Sequence, residues 1–158
     1  MPKNPVSTAN RWRSAVTAIL IAATNCTQLP PTSSVAIRPI SAGDARLWFY
    51  RDGGSRETQQ RPYLRLNGQI AGISEPNGTF YRDVAPGHYT VTVDSYLSTY
   101  FNQFTDIDLA AGQEAYVKVL SQLRPVGERA VRENFYTQVI PAEAARPDAA
   151  RRPFYGGS

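Results

Sequence analysis

The sequence has almost nothing with which to build a reactive centre. Of its 158 residues one is cysteine (Cys26), one histidine (His88), one methionine, and only two are lysine (Lys3 and Lys118). A single cysteine excludes an intramolecular disulfide. One cysteine and one histidine do not make a zinc site, which takes four ligands or three plus water. A lone histidine without a spaced nucleophile gives no acid–base pair. Gly53-Gly54 is an isolated pair in a polar loop, with no phosphate-cradling Gly–Lys loop around it. No catalytic residue, metal site or cofactor is therefore expected, and the chain reads as non-enzymatic. Long apolar runs are missing too. Ala15–Ala23 (AVTAILIAA) is nine residues long, against about 20 for a helix that spans a bilayer.

The formal charge of +4 suggests a nucleic-acid partner until its distribution is read. Lys3, Arg11 and Arg13 precede Cys26 and no Asp or Glu does, so the chain from Cys26 onward carries 14 basic residues against 13 acidic ones. The excess belongs to the first segment, and no basic binding face is expected. A basic stretch followed by a short apolar run is the pattern of a secretory signal, here residues 1–25. Trp12 separates Arg11 from Arg13, so no twin arginine is present.

Cys26 stands where bacterial lipoprotein signals place their modified cysteine, and Ala23-Thr24-Asn25-Cys26 resembles a lipobox. Ala23 stands where Leu is commonest, and Asn25 where a small residue is usual. Two outcomes fit: lipidation of Cys26, or cleavage after Ala23 that leaves a free thiol. Lipidation is the expectation adopted. An exposed lone thiol is a liability in an oxidising compartment, and Thr27–Ser34 (TQLPPTSS) reads as a Pro-rich tether. Two or more acyl chains would give stable attachment. Thr27, rather than Asp, after the cysteine resembles an outer-membrane destination facing the periplasm.

Beyond the tether (26–43) the chain is written in strands. Residues 46–51 (RLWFYR) are apolar on both faces, so one face is expected to pack on a further element. Asn67-Gly68 joins 63–66 to 69–73 as a hairpin, because both residues tolerate positive φ. Strands follow at 79–84, 88–95, 104–109, 114–120 and 134–140, with turns at Asn77-Gly78, Pro86-Gly87 and Gly112. Tyr89, Val91 and Val93 alternate with Thr90, Thr92 and Asp94; Ala115, Val117 and Val119 alternate likewise. The expectation is an all-β, antiparallel sandwich of seven or eight strands over 44–143. A helical turn or two follows Pro141, and the tail at 144–158 is expected to be disordered.

Several of these segments carry a resemblance. Arg46–Arg51, Leu66–Gly72, Gly78–Tyr81, Pro86-Gly-His-Tyr89 and Ala111-Gly-Gln-Glu-Ala-Tyr116-Val are similar to an uncharacterised family of bacterial envelope lipoproteins classed as a domain of unknown function. They also resemble the broader PEGA and prealbumin-like sandwiches. The resemblance covers roughly 44–143. It implies a sandwich behind a lipoprotein signal and supplies no catalytic residues.

Remaining polar candidates read as surface. His88 opens a strand, with Asp83 or Asp106 as conceivable neighbours; Asp94, Asp106 and Asp108 would be a calcium set only if they converged, and a solvated acidic face is the expected alternative. Asn77-Gly78-Thr79 matches a glycosylation acceptor that a bacterial host would leave unused. Tyr96, Tyr100, Phe101 and Phe104 crowd one segment and form either a partner-binding patch or part of the core. The function expected is a non-catalytic interaction module tethered to the membrane by lipid, with an envelope protein or peptidoglycan as partner. The alternative is a glycan-binding accessory domain that uses those four aromatics.

Overall fold

The structure, a computed structural model, describes Met1 and residues 28–54, 59–94, 104–126, 128 and 130–158. Among the described residues nine strands form two sheets: β1 (Ala45–Arg51), β2 (Tyr63–Leu66), β3 (Gln69–Ile73), β4 (Thr79–Val84), β5 (Gly87–Val93), β6 (Phe104–Leu109), β7 (Glu114–Val126), β8 (Ala130–Ile140) and β9 (Phe154–Gly157). One helix, α1 (Ala142–Arg151), separates the last two strands. The sheet orders are β8-β7-β1-β4-β9 and β3-β2-β5-β6.

The expected sandwich is present, and period-two patterning places its core. Leu47 and Phe49 of β1, Phe80, Val117, Val119 and Phe135 meet Leu64, Val91, Val93 and Leu109 of the other sheet. The Asn67-Gly68 hairpin forms with φ of 48° and 81°, the positive pair that a tight hairpin turn demands. Tyr89 packs on this core while its hydroxyl donates to the Ala85 carbonyl at 2.7 Å. Thr105 and Thr137 share a 2.9 Å hydrogen bond that ties β6 to β8 across the sheets.

Three expectations are corrected. The sandwich is not purely antiparallel: β1 runs parallel to β7 and β4 parallel to β9. The segment 144–158 is not a disordered tail; it supplies most of the ten-residue α1 and the edge strand β9. The segment before β1 is not wholly a free tether. Pro31 forms a β-bridge with Pro153, Thr32 is buried in a 3-10 turn, and the Thr32 amide donates to the Arg152 carbonyl at 2.8 Å.

One cause underlies the last two corrections. The outer face of β1 carries Trp48 and Tyr50, which are too apolar to leave wet. Helix α1 covers them with Ala145 and Ala149, both buried, and Ile37, Ala142 and Phe154 close in around them. The alanines lie one turn apart on one helix face and let the backbone approach the rings. The helix runs through Pro147, although proline removes a backbone donor. Contact with the aromatic floor is what sustains it. Glu143 in its first turn and Arg151 in its last suit the helix dipole.

Candidate functional site

The outward residues of β1, β4 and β7 form a lattice fixed by strand register. Arg46, Trp48 and Tyr50 run down the middle. Asp83, Tyr81 and Thr79 flank them on β4, and Glu114, Tyr116 and Lys118 on β7. The top row is thus charged, the middle row aromatic and the bottom row mixed.

In the top row Arg46 grips Asp83 through Nε and Nη2 at 2.6 and 2.9 Å, with both side chains more than nine-tenths buried. This bidentate pair pushes the arginine pKa up. The guanidinium also lies 4.0 Å from the centre of the Tyr81 ring, a cation–π distance. Glu114 accepts from Trp48 Nε1 at 3.3 Å and from the Tyr116 hydroxyl at 3.4 Å. Arg146 of α1 reaches the same two groups, donating from Nε to Tyr116 Oη and from Nη2 to Glu114, each at 3.3 Å. In the middle row Trp48 stacks on Tyr116 with planes 4° apart and lies tilted against Tyr81 at 5.0 Å.

The bottom row locks the C-terminal segment. Asp52 pairs with Lys118 at 2.7 Å and also with Arg152, whose side chain reaches Asn77. The Thr79 hydroxyl donates to the Ala149 carbonyl at 3.2 Å. Desolvation pushes the Tyr50 hydroxyl up to about 12 from its ordinary value near 10; Tyr116 shifts the same way, again chiefly by burial. Folded Tyr50 therefore keeps a proton that the unfolded chain gives up between those two values. Alkali favours the unfolded state, and stability should fall as pH rises through this window. Melting temperature followed across it should drop less steeply in Tyr50→Phe than in the parent. Parallel loss in both would disprove the assignment.

Between the top row, α1 and residues 32–40 lies an open cleft of about 390 Å³. Trp48 and Tyr116 form its floor. Ile37 and Ile40 wall one side and Ala149 and Ala150 the other, and Arg38, Arg46, Arg146 and Glu114 supply its charge. Trp48 and Tyr116 are nearly covered, so little of either ring is presented. The groups lining it offer cations to an anion and aliphatic walls to an apolar body. Glu114, the carboxylate lining the cleft, is committed to three donors.

The residues singled out from sequence fall elsewhere. Cys26, Tyr96, Tyr100 and Phe101 lie outside the described residues. Phe104 opens β6, half-exposed, on the outer face of the smaller sheet. His88 is exposed and bonds Asp108 through Nδ1 at 2.8 Å, with Asp106 3.7 Å from Nε2. Asp83, weighed as its neighbour, is instead the partner of Arg46. Asp106 accepts from Thr90, and Asp94 is held by Arg65 at 2.8 and 3.1 Å. Among the described residues no group of three or more His, Cys, Asp or Glu is placed to hold a metal ion, and no helix is long and apolar enough to cross a membrane. Arg38, Arg46, Glu114, Tyr116 and Arg146 were not picked out from sequence. Arg46, Glu114 and Tyr116 had a signal in the alternations Arg46-x-Trp48-x-Tyr50 and Glu114-x-Tyr116-x-Lys118, which mix charge with aromatic rings on one strand face; Arg38 and Arg146 had none.

Comparison with known proteins bears on these residues through one family. The model of a family described as "Protein of unknown function (DUF2846)" matches residues 41–131. No curated protein and no solved structure matches the chain.

Proposed function

The chain belongs to the DUF2846 family of proteins of unknown function, and we propose that it is an envelope lipoprotein. Its sandwich is a non-catalytic recognition module, held by lipid on Cys26 at the periplasmic face of the outer membrane. The observation that carries this reading is where the body takes hold of its own N-terminal segment. The Phe154 amide donates to the Pro30 carbonyl at 3.0 Å, and Pro31 bridges Pro153. Only three residues lie between Cys26 and Pro30. Fully extended, that stretch reaches about 14 Å. A lipidated Cys26 would keep the module close to the bilayer, with β9 and α1 on the side nearest the anchor. Kinship with the PEGA and prealbumin-like sandwiches belongs to the same proposal, supported by the turn motifs at Asn67-Gly68, Pro86-Gly87 and Gly112.

Mass spectrometry of the native protein should find an acyl adduct on Cys26, and Cys26→Ser should move the protein from the outer-membrane fraction to the soluble periplasm. An unmodified thiol on a soluble parent protein would refute the anchor. The glycan-binding alternative keeps one described contributor, Phe104, with half its surface exposed. Sedimentation with purified peptidoglycan that Phe104→Ala abolishes would favour it.

A further inference from the structure

The cleft above Trp48 has a size, a lining and a charge that narrow what fits. At about 390 Å³ it falls at the small end of ligand sites, which run from roughly 300 to 1,000 Å³. Its side walls are aliphatic: Ile37, Ile40, Ala149 and Ala150. Arg46 and Asp83 neutralise each other as a bidentate pair, which leaves the guanidiniums of Arg38 and Arg146 against the carboxylate of Glu114. The three arginines are not equivalent. Arg46 is more than nine-tenths buried and held by Asp83 through two nitrogens. Arg146 gives two nitrogens to Tyr116 and Glu114 at 3.3 Å, the long end of hydrogen bonding. Arg38 is 63% exposed, and its one ion pair among the described residues is at 4.0 Å, with Asp83. A guanidinium has five donors in a fork that matches a carboxylate. Arg38 therefore brings unspent donors to the mouth of an apolar cleft, and Arg146 stands across from it on the helix wall.

We infer that this cleft binds a small amphipathic carboxylate. The apolar body lies between Ile37, Ile40 and α1, and the carboxylate is received by Arg38 with Arg146 in support. Glu114 tightens the choice. A cationic head would find Glu114 already committed to three donors and would meet Arg38 and Arg146, so cationic amphiphiles are rejected. An uncharged amphiphile of equal length keeps the apolar contacts and loses the ion pair. The site does not depend on the lipid anchor and stands whether or not Cys26 is acylated.

Isothermal titration calorimetry of the full chain, with decanoate below its micellar concentration, tests the inference. Decanol, decylammonium and acetate serve as controls. Decanoate should bind saturably at one site per chain. Decanol should bind about tenfold more weakly, since a hydrogen bond to a charged group contributes about a tenfold factor or more; acetate and decylammonium should give no saturable heat. Arg38→Gln, at an exposed position, should cost about the same factor as removing the carboxylate. Ala150→Phe, placed on the helix wall to fill the cleft, should abolish binding while the melting temperature is retained. Equal affinity for decanol and decanoate, preference for decylammonium, or unchanged binding in Arg38→Gln and Ala150→Phe would each overturn it.

Discussion

Removal of residues 142–158 is expected to abolish cooperative unfolding. The deletion takes away α1 and β9 and uncovers Trp48, Tyr50, Tyr81 and Tyr116 on the outer face of the five-stranded sheet. Full burial of one large apolar side chain is worth about 1.5–3 kcal/mol, so four rings together represent about 6 kcal/mol or more. A domain of this size has only about 5–15 kcal/mol in total. The deletion also turns β4 into a sheet edge beside an exposed aromatic surface, a combination that invites aggregation. The truncated chain should lose its near-ultraviolet circular dichroism and its sharp thermal transition. A truncated chain that melts as sharply as the parent, within a few degrees, would mean the C-terminal segment is an ornament.

The second large effect is expected at Asp83. Its carboxylate is the bidentate partner of an arginine whose side chain is 97% covered. Removing one member of such a pair leaves an uncompensated buried charge, at a cost of about 3 kcal/mol or more. For a chain of this length that is a fall of roughly 6–12 °C in melting temperature. Asp83→Ala should show it. Arg46→Met combined with Asp83→Leu should recover most of the loss, because apolar residues of similar volume replace a buried ion pair at little cost. The recovery should be incomplete, since Arg46 also lies over the Tyr81 ring. If the double variant is as unstable as the single one, the pair's charge is not what the site depends on.

These two experiments address the parts of the fold that differ most in how readily the sequence reveals them. The sandwich was legible because its strands alternate. Val91 and Val93 point one way and Thr90 and Thr92 the other, and Asn67-Gly68 marks its own turn. Strands 63–66, 69–73, 79–84 and 104–109 have the bounds that pattern gives. The second apolar layer was not legible, for local reasons. The buried face of α1 is made of alanines, which give a weak hydrophobic period, and Pro147 reads as a helix stop. Strand β9 ends in two glycines, residues that normally count against a strand. Here a side chain at Gly157 would place Cβ 2.1 Å from the Tyr81 ring, so closeness of approach, not propensity, sets the residue. The prolines of 30–39 read as a linker, yet Pro30 and Pro31 pair with the C-terminal segment through backbone contacts that span most of the chain.

The candidate site was half legible for the same reason. The two-faced apolar character of β1 announced that something must cover Trp48 and Tyr50. It did not say which element, and so the residues that cover them, and the arginines that come with the cover, stayed hidden. The parallel pairing of β1 with β7 places Glu114 and Tyr116 beside Arg46 and Trp48. That neighbourhood is a product of topology, which a local pattern of side chains does not contain.

The most direct test of this layered account is amide hydrogen exchange across residues 142–157 of the intact protein. Packing of α1 and β9 on the aromatic floor predicts that the amides of Ala145, Ala149 and Arg152 exchange only as slowly as the strands of the sandwich do. Exchange there within seconds, while β1 and β7 stay protected, would show that the layer over Trp48 does not persist in solution, and the cleft built from it would go with it.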